Sequence, residues 1–318
     1  MPSLKSHLVA LVLRYTRKKA FSSPEGLRRW IANSRRKQDH RPPRGFASRL
    51  DVGQRSVLGS PVYEVTPRGA AAGPQILYLH GGAFVFEITR FHWNLIGEMA
   101  ERLSARVTVP IYPLAPEHDH HAIFGMGFEV YRQVLAQTGP ERLVVMGDSA
   151  GGTMAVVLNM MAKAEGLARP ARQVLLSPGL DMTLDDPRSR DFARTDPWLD
   201  IDGGMEAIRL YAGELVRTDW RVSPIYGDLT SLPPTLILTG ERDLLTPGTL
   251  GFVDKARAAG VRIDLIGEPH MFHGWPLMDM PEARLARDHI VEWLTQPLQQ
   301  VQRPLRPLPR LWPQAAPS

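Results

Sequence analysis

Apolar positions along this chain fall into two rhythms. From about residue 57, short apolar runs alternate with longer stretches in which apolar side chains recur every three to four positions. The runs at 76–79, 107–112, 143–146, 173–176, 235–238 and 262–266 predict strands, and the stretches 93–103, 124–136, 153–165 and 248–259 predict amphipathic helices. Strand and helix in alternation require crossover connections, hence a mostly parallel sheet with helices on both faces. Functional residues are then expected on loops at the carboxyl ends of the strands. Residues 181–226 break the rhythm with Asp185-Asp186-Pro187, Asp196-Pro197-Trp198 and a helical 205–216, an insertion large enough to cover a site.

Before the sheet region lies helical patterning of another kind. Leu4, Leu8, Leu11 and Tyr15 recur at helical spacing, which predicts an amphipathic helix lying on the rest of the protein by that stripe. A second helix is predicted from Pro24, in a first turn, with Leu27, Trp30 and Ile31 as its apolar side. The six-residue apolar run 8–13 is far too short to span a bilayer, and no small-residue cleavage site follows it. The expectation is a cytoplasmic protein. Beyond residue 296, prolines at 297, 304, 307, 309, 313 and 317 predict a disordered tail.

Composition narrows the chemistry. A chain of 318 residues with 43% hydrophobic residues suits one large core with appendages and excludes overall disorder. Zero cysteines removes thiolate metal sites, iron–sulfur clusters, disulfides and Cys nucleophiles together. The net charge of +5 is unevenly placed: residues 1–49 hold 13 Lys+Arg against Glu25 and Asp39, a balance of +11 that leaves −6 for the remainder. The clusters Arg17-Lys18-Lys19 and Arg35-Arg36-Lys37 offer contacts for anionic lipid or nucleic acid, but a solvated helix face is the preferred reading and no nucleic-acid partner is expected.

The chemistry begins at Gly147-Asp148-Ser149-Ala150-Gly151. A G-x-S-x-G string is weak alone, yet here it stands between a predicted strand and a predicted helix, the setting of a nucleophile elbow. Serine needs a base and an orienting acid. Asp243 follows the 235–238 strand, and Glu268-Pro269-His270-Met271-Phe272-His273-Gly274 supplies two histidines; His273 is preferred as base, with His270 in reserve. Acyl transfer also needs N–H donors for the developing oxyanion. His80-Gly81-Gly82-Ala83-Phe84, after the 76–79 strand, provides them through Gly82 and Ala83 together with Ala150, Gly81 shaping the turn and counted with the oxyanion hole. His118, Asp119, His120 and His121 suggest a metal cluster, but neighbouring side chains point apart and no further ligand pattern accompanies them, so neither metal nor cofactor is expected.

From Val57 to Leu294 the sequence resembles the bacterial hormone-sensitive-lipase-like (family IV) esterases of the α/β-hydrolase superfamily. The likeness rests on the 80–84 and 147–152 motifs, Tyr112-Pro113-Leu114-Ala115-Pro116-Glu117, Ser177-Pro178-Gly179-Leu180-Asp181, the Asp243 loop and His273-Gly274. It implies an α/β-hydrolase fold with an eight-stranded sheet in a catalytic domain over 50–295, and a helical cap built from residues 1–49 plus the 181–226 insertion. It also implies hydrolysis of small carboxylic esters without metal or cofactor. Ala83 replaces a usual third glycine, Pro113 a usual arginine, and Glu87 is charged where an uncharged residue is commoner at the pocket mouth. A lactone hydrolase would use the same residues; a non-catalytic small-molecule receptor would lack the histidine. Oligomerisation is left open.

Overall fold

The computed structural model describes residues 2–37, 39–69 and 72–297, so all but the first two residues of the Pro-rich tail predicted over 296–318 lie outside it. Eight strands form one sheet in the order β1-β2-β4-β3-β5-β6-β7-β8. They are β1 (Leu50–Val57), β2 (Ser60–Pro67), β3 (Gln75–Leu79), β4 (Arg106–Pro110), β5 (Leu143–Asp148), β6 (Arg172–Leu176), β7 (Thr235–Arg242) and β8 (Ile263–Phe272). From β4 to β8 in the spatial order all neighbours are parallel, whereas β1 and β2 pair antiparallel at one edge.

The parallel strands are apolar on both sides because helices cover both. Leu77, Leu79, Val145 and Ile237 face one core with α4 (His120–Thr138), α5 (Ala150–Ala164) and α8 (Thr246–Ala258). Their alternates Ile76, Tyr78, Val144, Met146, Leu236 and Leu238 face the other, with α3 (Arg90–Leu103) and α9 (Pro281–Thr295). Period-two alternation thus divides each strand between two cores.

The 57–60 corner escaped sequence patterning. β1 reads Leu-Asp-Val-Gly-Gln-Arg-Ser-Val and buries only Leu50 and Val57, so an edge strand this polar carries no apolar run. Its signal lies in the turn: Leu58 and Gly59 both have positive φ, at 48° and 82°, as a two-residue hairpin of matching twist requires.

The N-terminal arm forms α1 (Leu4–Phe21) and α2 (Pro24–Arg35), and the 181–226 segment forms α6 (Ser189–Thr195) and α7 (Ile201–Ala212). Arg28 of α2 pairs with Glu206 of α7 at 2.7 Å, and α1 ends against α7 so closely that a Cβ on Gly203 would lie 2.4 Å from the Phe21 carbonyl oxygen. The expected orientation of α1 is reversed. It buries Ser6, Ala10, Leu13 and Ala20, while Leu4, Leu8, Leu11, Val12 and Tyr15 are exposed. Small side chains permit the close approach, and Ser3, just ahead of the helix, anchors it by donating its N–H and hydroxyl to the Glu282 carboxylate of α9. Among the described residues no helix is long and apolar enough to cross a membrane.

Candidate active site

Strand β5 runs into α5 through a turn of one residue. Ser149 sits there at φ 50°, ψ −119°, a conformation a non-glycine residue adopts only when its surroundings impose it. The imposed geometry depends on close packing, since a Cβ on Gly151 would fall 2.0 Å from the Leu79 carbonyl oxygen. Ser149 N–H donates to the Leu176 carbonyl at 2.8 Å, tying the turn to β6. Ser149 Oγ is left facing the loop after β8.

That loop brings His273 Nε2 to 2.9 Å from Ser149 Oγ, and its Nδ1 to 3.1 Å from Asp243 Oδ1, just beyond β7. Both partners of this second contact are buried. Gly274 N–H donates to Ser177 Oγ, fixing the backbone that carries the imidazole. Burial alone would lower the His273 pKa; the charge and hydrogen bond of Asp243, reinforced by Asp196 and Asp148, outweigh it and raise the value. His270, the reserve histidine, points away: its ring is mostly exposed, 3.7 Å from Glu241.

The turn after β3 carries one correction. Gly81 N–H donates to Asp148 Oδ1 at 2.9 Å, so this amide is spent inside the protein and cannot point at an oxyanion. No hydrogen bond from the amides of Gly82 and Ala83 is formed among the described residues, and Ala150 opens α5, where the first amides lack helical partners. Asp148 itself is a buried hub that sequence reading passed over as the variable position of its motif. It accepts from Tyr78 Oη at 2.7 Å as well as from Gly81, and lies 3.3 Å from His92 Nε2. Burial would raise its pKa, but His92 and Tyr78 hold it down, so an ionised carboxylate locks the 80–84 turn to the elbow.

The 181–226 segment contributes a second unforeseen residue. Asp196 is buried, accepts the amides of Trp198, Leu199 and Leu244, and has its pKa raised by burial and then by the charge of Asp243. Trp198 stands edge-on to the His273 ring at 5.6 Å. The only sequence signal was the Asp-Pro-Trp turn, whose place in space the sequence does not state.

Over Ser149 lies an apolar pocket of about 50 Å³ walled by Phe21, Phe84, Met182, Ile208, Tyr211 and Leu244, among others. Its walls come from α1, α7 and the strand-end loops. Glu87, expected at the pocket mouth, is not among its walls.

Two side chains of the 118–121 run converge in space. His120 and His121 open α4 with ring centroids 4.0 Å apart, and Glu214, beyond α7, lies 3.3 Å from His121 Nε2. Neighbours at a helix start do not diverge as neighbours in an extended chain do.

Comparison with known proteins gives the fold and the family. A family model described as alpha/beta hydrolase fold matches residues 76–277. An esterase of Acinetobacter venetianus is 32% identical over 234 residues, covering 71% of this chain and 76% of its own. The crystal structure of a hormone-sensitive lipase from a metagenome library superposes with a TM-score of 0.79 at 29% identity, over 91% of this chain and 97% of that one. That of EstE5 soaked with p-nitrophenyl butyrate gives 0.80 at 28%, over 92% and 98%.

Proposed function

Since the chain belongs to the α/β-hydrolase fold family, as a hormone-sensitive-lipase-like ester hydrolase, we propose that it cleaves short-chain carboxylic esters through Ser149, His273 and Asp243. The observation that carries this reading is the continuous relay from Ser149 Oγ to His273 Nε2 and from His273 Nδ1 to Asp243, at 2.9 and 3.1 Å. Ser149 Oγ attacks the ester carbonyl while its proton passes to His273 Nε2. Asp243 fixes the tautomer and stabilises the imidazolium. The amides of Gly82, Ala83 and Ala150 hold the oxyanion, and Gly81 serves by anchoring their turn to Asp148. The alcohol departs with the proton from His273; water then attacks the acyl-enzyme by the same route, releasing the acid and restoring Ser149.

The space over Ser149, about 50 Å³ and walled by Phe21, Phe84 and Tyr211 among others, is small and apolar, which supports a preference for short acyl groups. The residues 1–49 and 181–226 act together as the cap that closes this space. Butyrate esters fit the same picture, EstE5 having been soaked with one.

A rate profile over p-nitrophenyl esters from acetate to palmitate, with several lactones in the same assay, tests the proposal. The expected result is a maximum of kcat/KM at acetate or butyrate and a fall of at least about tenfold by octanoate. Turnover of lactones alone would establish the lactone hydrolase instead, and a maximum at palmitate would refute the small pocket.

A further inference from the structure

We infer that His120, His121 and Glu214 form a binding site for one divalent transition-metal ion of the zinc type, at the junction between the catalytic body and the cap. The three side chains offer one ligand atom each, all within 4.8 Å of one another. Glu214 Oε1 lies 3.3 Å from His121 Nε2 and 3.9 Å from His120 Nε2, separations that place one ion within bonding reach of all three after small side-chain adjustments. Two imidazoles and a carboxylate are the donor set that such ions take, with solvent completing the shell.

His120 supplies the independent observation. It is 1% exposed, yet neither ring nitrogen has a hydrogen-bond partner among the described residues. A buried, unpartnered imidazole is costly, and a metal ion on Nε2 would give that nitrogen a partner. The nearby cation Arg221 is itself engaged by Asp219 at 2.9 Å. Glu214 follows α7, whose Ile208 and Tyr211 wall the pocket, whereas the histidines belong to α4 of the body. A bound ion would therefore pin α7.

Isothermal titration of the full chain with zinc tests this. His121→Ala and Glu214→Gln alter exposed side chains and should leave the fold and the metal-free esterase activity intact. The parent is expected to bind one ion per chain and to melt at a higher temperature when it does. Each variant should bind at least about tenfold more weakly, and the double variant should lose the thermal shift, while His289→Ala, changing a histidine of α9 outside the cluster, keeps both. Undiminished binding in the double variant, or a parent Kd above about 1 mM, would overturn the site.

The outward face of α1 carries a second inference independently: the geometry points to α1 as an interfacial helix that docks on an anionic lipid surface. Five of the nine large apolar side chains exposed among the described residues, Leu4, Leu8, Leu11, Val12 and Tyr15, lie on this one helix; Leu4 is 90% exposed and Tyr15 74%. Helical spacing puts them on the side opposite Ser6, Ala10 and Leu13, so α1 is apolar both toward the protein and away from it. Exposed Arg14 flanks the stripe on one side, and Lys19 and Lys5, the latter paired with Asp279 at 2.6 Å, on the other. An apolar strip edged by cations suits an acyl–headgroup boundary, and the +11 balance of residues 1–49, offset in part where Lys5, Lys18, Arg28, Arg35 and Arg49 pair with carboxylates elsewhere in the chain, still makes anionic lipid the complementary partner. Pairing with a second copy would instead bring two such arms together.

Flotation with phosphatidylcholine vesicles, with and without phosphatidylglycerol at about three parts in ten, decides the matter. The full chain should float with the anionic vesicles, less so at high salt. The triple variant Leu4→Gln, Leu8→Gln, Leu11→Gln, altered only at exposed positions, should stay at the bottom while hydrolysing p-nitrophenyl butyrate at the parent's rate. A parent that ignores both vesicles, a triple variant that floats equally well, or a parent dimer abolished by the triple variant would each refute lipid docking.

Discussion

Replacing Ser149 with alanine is expected to lower kcat on p-nitrophenyl butyrate by about 10⁵–10⁶-fold, because the base and the oxyanion donors act only through the oxygen this change removes. The fold should persist. In the structure Ser149 Oγ bonds to His273 and the backbone N–H to Leu176, so alanine loses one side-chain contact and keeps the tie to β6. A melting temperature within a few degrees of the parent, measured beside the rate, separates loss of chemistry from loss of structure. Activity retained within about tenfold would place the nucleophile elsewhere.

Much of this site was legible because acyl transfer constrains the sequence locally. An elbow needs glycines on either side of its nucleophile, an oxyanion turn needs glycines after a strand, and both occur at strand ends where apolar runs stop. Asp243 and His273 followed from chain order once the serine was chosen. What escaped depends on distant residues meeting. Asp148 became a hub only because Tyr78, Gly81 and His92 converge on it from two other elements. Asp196 reached the surroundings of His273 through a segment whose path the sequence does not fix.

The helix α1 misled for a different reason. Its apolar residues fall on two opposed faces, and periodicity marks the larger side chains without revealing which face the body can approach. Small Ser6, Ala10 and Ala20 allowed the tighter contact, so the larger residues remained outside. His120 and His121 show the same limit, since their nearness to Glu214 depends on where the segment beyond α7 returns to the body.

Asp243→Asn is expected to reduce kcat by about 10⁴-fold, the loss typical when the imidazole of a serine hydrolase is left without its anionic partner and in the wrong tautomer. The position also sets the pH dependence. His273 must be neutral to accept the Ser149 proton, and Asp243 raises its pKa, so the pH at which activity climbs should be shifted upward from that of an ordinary histidine. Asp196 raises the same pKa from farther away and accepts only backbone amides. Asp196→Asn should therefore move the acid limb of kcat/KM to lower pH, with kcat above that limb changed less than about tenfold. The two substitutions separate the roles: one removes the group that orients the base, the other a charge that only tunes it. An Asp196→Asn enzyme whose acid limb does not move would assign that carboxylate to holding the Trp198 and Leu244 turns alone. An Asp243→Asn enzyme at parental rate would break the relay from which the mechanism was built.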